Sequence, residues 1–231
     1  MQLQKIGTNI WIYDGDVVPF YGFPYTTRMT VIRLANNDLW IHSPEKLNPG
    51  LQDELADIGR IAYLISPNKL HHLFLEDWIS TYPDANTYAA PGLIEKRKDI
   101  HFSKALSGTP ESGWENQIDQ LVFQGSPIME EVVFFHVESK TLLLTDLIEN
   151  FQEDYFSGWR KTVAKIGGIL SPNGKTPLDW RLSFVFGKSR AKIAVNRMLS
   201  WEPDNIIVSH GECIMGNGTE FLKRSFSWVL K

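Results

Sequence analysis

The chain has 231 residues, of which 43% are hydrophobic and 22% are charged, so it can build a packed core. Its formal net charge of −4 and its pI of about 5.9 lack the basic excess of proteins that bind nucleic acids or anionic membranes. One cysteine, Cys213, excludes an internal disulfide framework and favours a reducing compartment. Without an apolar signal core or a run of about 20 apolar residues, we expect a soluble cytoplasmic protein with no membrane or nucleic-acid partner.

The N-terminal quarter of the chain predicts strands followed by a helix. Short apolar runs indicate strands at residues 9–13, 29–34 and 38–41, and Asn36-Asn37 favours a hairpin between the last two. Asn48 followed by Pro49 predicts the start of a helix, which should end at Gly59.

The next segment, residues 61–78, contains a pair of histidines between a strand and a helix. A buried strand at residues 61–65 is interrupted by Ser66-Pro67-Asn68. His71 and His72 follow the interruption, and a helical pattern then reaches about Thr81. Binding sites in layered sheet–helix folds collect where strands end in this way.

The second half predicts further strands that end in polar residues. Strands are expected at residues 87–90, 120–123, 131–137, 140–146 and 205–208, and helices at 157–166, 188–201 and 219–230. The strand 140–146 ends in Asp146, and the strand 205–208 delivers His210. Residues 151–186 are the least regular part, and we expect a surface loop there. With no repeat or linker, a single domain over residues 1–231 is expected.

The hairpin register decides which residues accompany Asp146. If the chain turns at Glu138-Ser139, Glu131 pairs with Asp146, whereas His136 lies about 17 Å away along the strand. Glu131 and its neighbour Glu130 are therefore better candidates than His136 for neighbours of a site. The favoured interpretation of both glutamates is nevertheless a solvated strand start.

This order of elements resembles the metallo-β-lactamase superfamily, whose fold is a four-layer αββα sandwich. The resemblance covers nearly the whole chain and implies an α/β fold, α+β in some schemes. The stretches PNKLHHLF, YAAPGL, EVVFFHVESKTLLLTDL and SHGE are similar to a divergent branch described only as a domain of unknown function.

The superfamily signature, a threonine followed by His-x-His-x-Asp-His, is degraded in this chain. Its successive positions are taken by Ser66, Pro67, Lys69, His71 and His72. Asp146 matches the metal-bridging aspartate of the superfamily, and His210 matches its final histidine. Because the first two signature histidines are replaced, and no histidine precedes the strand near Glu131, the resemblance implies that one of two ion sites is lost.

The remaining positions imply a single-ion site. His71, His72, Asp146 and His210 suit one zinc or iron ion, provided that His71 lies in the loop, since adjacent helical residues point about 100° apart. The resemblance then implies a metal-dependent hydrolase-like protein acting on a small molecule, with Asp146 and Lys69 as catalytic groups. An iron-dependent oxidoreductase is also compatible with the fold.

An alternative is a metal-free binding or structural protein on the same fold. In this alternative the ammonium group of Lys69 neutralises Asp146 in place of an ion. A salt bridge between Lys69 and Asp146 would favour this alternative, and a Lys69 side chain directed elsewhere would permit a bound cation.

Overall fold

Residues 2–231 are described by this computed structural model, which contains thirteen strands and eight helices. The strands are β1 (Gln4–Gly7), β2 (Ile10–Asp14), β3 (Val18–Phe20), β4 (Phe23–Tyr25), β5 (Arg28–Arg33), β6 (Asp38–His42), β7 (Arg60–Ser66), β8 (Asn86–Ala89), β9 (Lys104–Ala105), β10 (Ile118–Phe123), β11 (Glu131–His136), β12 (Thr141–Leu144) and β13 (Asn205–Val208). The helices are α1 (Pro49–Ile58), α2 (Leu75–Thr81), α3 (Leu93–Lys96), α4 (Gly158–Gly167), α5 (Leu178–Ser183), α6 (Lys188–Ser200), α7 (Gly218–Ser225) and α8 (Ser227–Leu230).

Two sheets pack face to face between two layers of helices. One sheet has the order β1-β2-β5-β6-β7-β8-β9, the other has the order β10-β11-β12-β13, and β3 and β4 form a separate hairpin. Apolar residues of both sheets share one core between them. Helices α1 and α2 cover the outer face of the larger sheet, and α6, α7 and α8 cover the smaller one. The αββα sandwich implied by the resemblance is therefore confirmed.

Strand β6 shows why both faces of the larger sheet are apolar. Trp40 points into the core between the sheets, whereas Leu39 and Ile41 pack towards the helices. Side chains alternate between the two faces of a strand, so a strand covered on both sides reads as a continuous apolar run.

Local signals in the sequence explain most of the element boundaries. Asn48 caps α1, because its Oδ1 accepts the backbone N–H of Leu51 at 3.0 Å, and the predicted helix over these residues is confirmed. The predicted C-terminal helix over residues 219–230 is instead two helices. They join at Phe226, a fully buried residue whose ring lies 5.5 Å from that of Phe123. The two helices therefore meet at a residue of the core.

The strand ends place the loops that matter for function. Strands β6 and β7 are parallel, as are β12 and β13, so the loops that follow them collect at one edge of the sandwich. His136 pairs with Thr141 in the observed register, as predicted, at the opposite end of the hairpin. Over residues 2–231, every helix is too short or too polar to cross a membrane.

Candidate metal centre

Two imidazoles and one carboxylate meet at the edge where the parallel strands end. Asp146 follows β12, His210 follows β13, and His71 lies in the turn between β7 and α2. One nitrogen or oxygen atom from each lies within 4.8 Å of the other two. Asp146 Oδ1 lies 2.9 Å from His210 Nε2 and 3.5 Å from His71 Nε2.

The backbone fixes the orientation and the proton of His210. Its Nδ1 lies 2.6 Å from the carbonyl oxygen of Thr26, which can only accept, so Nδ1 carries the hydrogen and donates it. Its Nε2 therefore directs a lone pair at the Asp146 carboxylate unless a proton or a cation lies between them. Burial alone would lower the pKa of His210, but Asp146 and Glu149 raise it.

His71 is oriented by a serine from the neighbouring strand end. Its Nδ1 lies 2.7 Å from the hydroxyl oxygen of Ser43, which directly follows β6. With Nδ1 so occupied, Nε2 faces Asp146. His71 precedes the first residue of α2, Leu75, and it therefore meets the condition that it lie in the loop.

Asp146 is held by one neighbour from the loop after β7 and one from strand β11. Asn68 donates from Nδ2 to Asp146 Oδ2 at 2.6 Å, and the backbone N–H of Asp146 donates to Glu131 at 2.8 Å. Burial alone would raise the pKa of Asp146, but His71 and His210 hold it well below its usual range. The group is therefore an ionised carboxylate inside the protein.

Glu131 is a buried acceptor, and the interpretation of this residue as a solvated strand start is wrong. Its side chain is fully buried, and it accepts the backbone N–H groups of Thr145 at 2.7 Å and of Asp146 at 2.8 Å. Buried N–H groups require acceptors. The turn after β12 has two such N–H groups, and Glu131 accepts both. The predicted register correctly placed Glu131 beside Asp146.

His72 lies outside the group formed by His71, Asp146 and His210. Its Nδ1 accepts a hydrogen bond from Arg97 at 2.9 Å. Burial, together with the charges of Lys96 and Arg97, lowers the pKa of His72 to about 4. The adjacent histidines therefore face different partners, and the predicted ligand role of His72 has no counterpart in this group.

The side chain of Lys69 packs over Gly92. Within residues 2–231, Lys69 forms no ion pair with this carboxylate. Its Nζ would lie only 2.6 Å from a methyl group added at Gly92, which shows that its side chain covers that glycine. Both predicted roles of Lys69, as a catalytic group and as a substitute for the ion, would require a contact with Asp146 that Lys69 does not make. The absence of this ion pair permits a cation at Asp146.

The three residues line a cavity of about 260 Å³. Part of its wall is apolar and comprises Val18, Pro19, Phe20, Leu73, Phe74 and Trp180. Two buried glutamates, Glu45 and Glu149, also line it, and burial raises the pKa of each to about 8. The cavity thus combines a carboxylate whose pKa its histidine neighbours lower with two carboxyl groups whose pKa burial raises.

Sequence reasoning missed both glutamates. Thr27 donates to Glu45 at 2.8 Å, and the hydroxyl of Tyr25 donates to Glu149 at 3.2 Å. Glu45 lies in the loop three residues after β6, and Glu149 lies five residues after β12, where it forms an isolated β-bridge with Lys175. Acidic residues are so common in loops, however, that only the fold distinguishes these two.

A buried arginine and a glycine fix the loop that carries His210. Arg28 donates to the carbonyl oxygens of Val208 and Gly211 on either side of His210. Gly211 has φ of +95°, and a methyl group there would overlap the Asn150 carbonyl and come within 2.6 Å of Phe151 N. The local backbone therefore leaves His210 little freedom to move.

The chemistry of the donor set fits a divalent ion. Two imidazole nitrogens and one carboxylate oxygen form the three-residue set found at catalytic zinc sites and at non-haem iron sites. Hydrogen bonds at the second ring nitrogen, here with the Thr26 carbonyl and the Ser43 hydroxyl, are typical of histidines that bind metals. His71, Asp146 and His210 are also three of the four residues in the ligand set that the resemblance implied.

Comparisons with known proteins agree with this fold. The model of a family described as a domain of unknown function (DUF4336) matches residues 8–157. A sequence comparison with curated proteins gives no match.

Solved structures with the same fold include two metallo-β-lactamases. DIM-1 metallo-β-lactamase exposed to ceftazidime is 14% identical with a TM-score of 0.67, and the match covers 99% of this chain and 95% of that chain. A metallo-β-lactamase from Hirschia baltica is 16% identical with a TM-score of 0.62, covering 99% and 97%.

A third structure with this fold is rubredoxin oxygen:oxidoreductase from Desulfovibrio gigas. It is 12% identical with a TM-score of 0.68, and the match covers 99% of this chain but 61% of that chain. At these identities the likeness to the three structures shows the fold alone.

Proposed function

Because the chain belongs to the DUF4336 family and has the metallo-β-lactamase fold, we propose that it is a metal-dependent, hydrolase-like protein with a single-ion site. The proposed ligands are His71, Asp146 and His210. The observation that carries the proposal is the hydrogen bond from His210 Nδ1 to the Thr26 carbonyl, which turns Nε2 towards Asp146.

The proposed ion is zinc or iron, because both accept two imidazoles and a carboxylate with a position left for substrate. When bound, such an ion supplies Lewis-acid chemistry, which polarises a carbonyl or phosphoryl oxygen and acidifies water. Asp146 contributes the negative charge that holds it, and Asn68 and Glu131 keep that carboxylate in place.

The cavity residues supply proton transfer and shielding. Glu149 lines the cavity and burial raises its pKa, so we assign it the role of proton donor to a leaving group. Tyr25 positions its carboxyl group. The apolar wall, including Phe20 and Trp180, keeps water away from a small-molecule substrate.

A metal-free binding protein is the second candidate. The observation that favours it is the 2.9 Å distance between His210 Nε2 and Asp146 Oδ1, since a proton on Nε2 satisfies Asp146 as well as a cation does. In this version His210, rather than Lys69, neutralises the carboxylate.

The cytoplasmic location also stays a proposal, supported by the single cysteine.

Hydrolysis screening tests the enzyme proposal. The protein is purified without chelator or affinity metal, loaded with zinc or iron(II), and offered simple esters, thioesters, lactones and phosphodiesters. We expect a hydrolysis that disappears with chelator and in His210→Ala, and that persists in Lys69→Ala. Hydrolysis that survives in His210→Ala, or none in the metal-loaded wild type, would contradict the proposal.

A further inference from the structure

Helix α4 exposes its apolar side to solvent. Trp159, Val163 and Ile166 are four and three residues apart, so they lie on one side of the helix. Their exposed fractions are 59%, 47% and 65%, and the only buried residue of the helix is Ala164. A surface helix of a globular protein normally turns such a stripe towards the core.

The exposed stripe continues across neighbouring elements. Val163 and Ile166 line a groove of about 360 Å³ together with residues of α5 and of the β3–β4 hairpin. Tyr21, at the tip of that hairpin, is 90% exposed. We call this surface the α4 face; its apolar members are Tyr21, Trp159, Val163, Ile166, Leu178 and Leu182.

The α4 face belongs to a basic stretch of the sequence in an acidic protein. Residues 157–200 contain nine Lys and Arg residues, four of them on α6 at the smaller sheet, and one acidic residue, Asp179, which lines the groove; the whole chain has a net charge of −4. Helix α4 itself carries Arg160, Lys161 and Lys165 and no acidic residue. In the described part of the chain, these three cations form no ion pair.

We propose that the α4 face docks on an anionic phospholipid membrane. A helix with bulky apolar side chains on one side, and only basic charges, is the pattern of helices that lie in the membrane interface. Basic side chains are drawn to an anionic leaflet, and their long stems let the charges reach the headgroups while the stripe is buried.

Charge complementarity selects this occupant over the alternatives. A second copy of the chain would bring the same basic face against itself, and the like charges would repel.

The prediction that the protein has no membrane partner came from the net charge, which averages the basic segment with the strongly acidic remainder. The α4 face adjoins the cavity, since Phe20 lines both.

Vesicle flotation tests the proposal with the full-length chain. The probes are vesicles of phosphatidylcholine alone and of phosphatidylcholine with 30 mol% phosphatidylserine. The test variant is Val163→Asp, and its matched control is Val137→Asp, because Val137 is 44% exposed and lies at the end of the sandwich opposite the metal centre. A second variant, Lys161→Glu with Lys165→Glu, tests the charges.

We expect the wild type and Val137→Asp to float with anionic vesicles about tenfold more than with neutral ones. Val163→Asp and the charge-reversed variant should lose that preference, while circular dichroism shows all variants folded. Chelator should change nothing, so this result stands apart from the metal proposal.

Three results would overturn the docking proposal. They are equal flotation with both kinds of vesicle, equal behaviour of Val163→Asp and Val137→Asp, and a wild-type dimer in light scattering that Val163→Asp dissociates. The last result would assign the face to a contact between copies.

Discussion

Asp146 Oδ1 and His210 Nε2 lie 2.9 Å apart, while the other nitrogen of the same ring donates to a backbone carbonyl. This pairing requires a positive species between the two groups, either a proton on the ring or a bound cation. His71 Nε2 lies 3.5 Å from the same carboxylate oxygen, so His71 is the third member of the group formed with Asp146 and His210.

Removing the hydroxyl of Ser43 should weaken metal binding. Ser43→Ala deletes the group 2.7 Å from His71 Nδ1, and loss of such a partner typically costs 10- to 100-fold in metal affinity. The measurement is zinc affinity by competition with a chromophoric chelator. Ser66→Ala is the control, because the Ser66 hydroxyl is buried but has no hydrogen-bond partner in the structure. Equal affinities of the two variants would contradict the role of Ser43.

Replacing Glu131 by glutamine should destabilise the turn that carries Asp146. Both oxygens of Glu131 accept backbone N–H groups, and the glutamine NH₂ would face one of these donors. The expected loss is about 1–3 kcal/mol in the free energy of unfolding by urea. Glu130→Gln, one residue earlier and only half-buried, should cost far less. A Glu131→Gln protein as stable as this control would contradict the claim that Glu131 stabilises the turn that carries Asp146.

A methyl group at Gly211 should displace the His210 loop. Gly211→Ala combines a φ of +95° with an overlap against the Asn150 carbonyl, so the backbone must move. Gly216→Ala is the control, because its φ is +76° but the space around it is open. We expect Gly211→Ala to lose zinc binding and Gly216→Ala to keep it, at a cost of about 1 kcal/mol in stability. Zinc retained at full affinity in Gly211→Ala would show that the loop tolerates the shift.

Acid should destabilise the protein partly through His136. Burial lowers the pKa of His136 from 6.5 to about 4. Between pH 4 and pH 6.5, His136 is therefore protonated in the unfolded chain and neutral in the folded protein. Stability therefore falls as the pH falls from 6.5 to 4, by up to about 3 kcal/mol for this group. Urea denaturation of His136→Asn across this range should show a shallower loss than wild type. His101→Asn, at an exposed position, should follow wild type, and a wild-type slope in His136→Asn would contradict the assignment.

Much of the scaffold was predictable because local signals and tertiary structure agree. The cap at Asn48, the hairpin after Arg33 and the register that pairs Glu131 with Asp146 all follow from turn and pairing rules. The two helices that meet at Phe226 were not predictable, because residues 219–230 contain no Gly or Pro to mark the break.

The site was only partly predictable. Asp146 and His210 end strands, so a rule about strand ends finds them. His71 and His72 are adjacent and chemically identical, and only the loop conformation turns one to Asp146 and the other to Arg97. Ser43 acts through a single contact with His71, which the sequence pattern does not encode.

The most direct test of the metal centre compares these two histidines. Elemental analysis is made on wild type, His71→Ala and His72→Ala, purified without chelator or affinity metal and then offered zinc and iron. We predict about one equivalent of metal in wild type and in His72→Ala, and none in His71→Ala. Metal absent from all three proteins, or lost from His72→Ala and kept by His71→Ala, would contradict the site described by His71, Asp146 and His210.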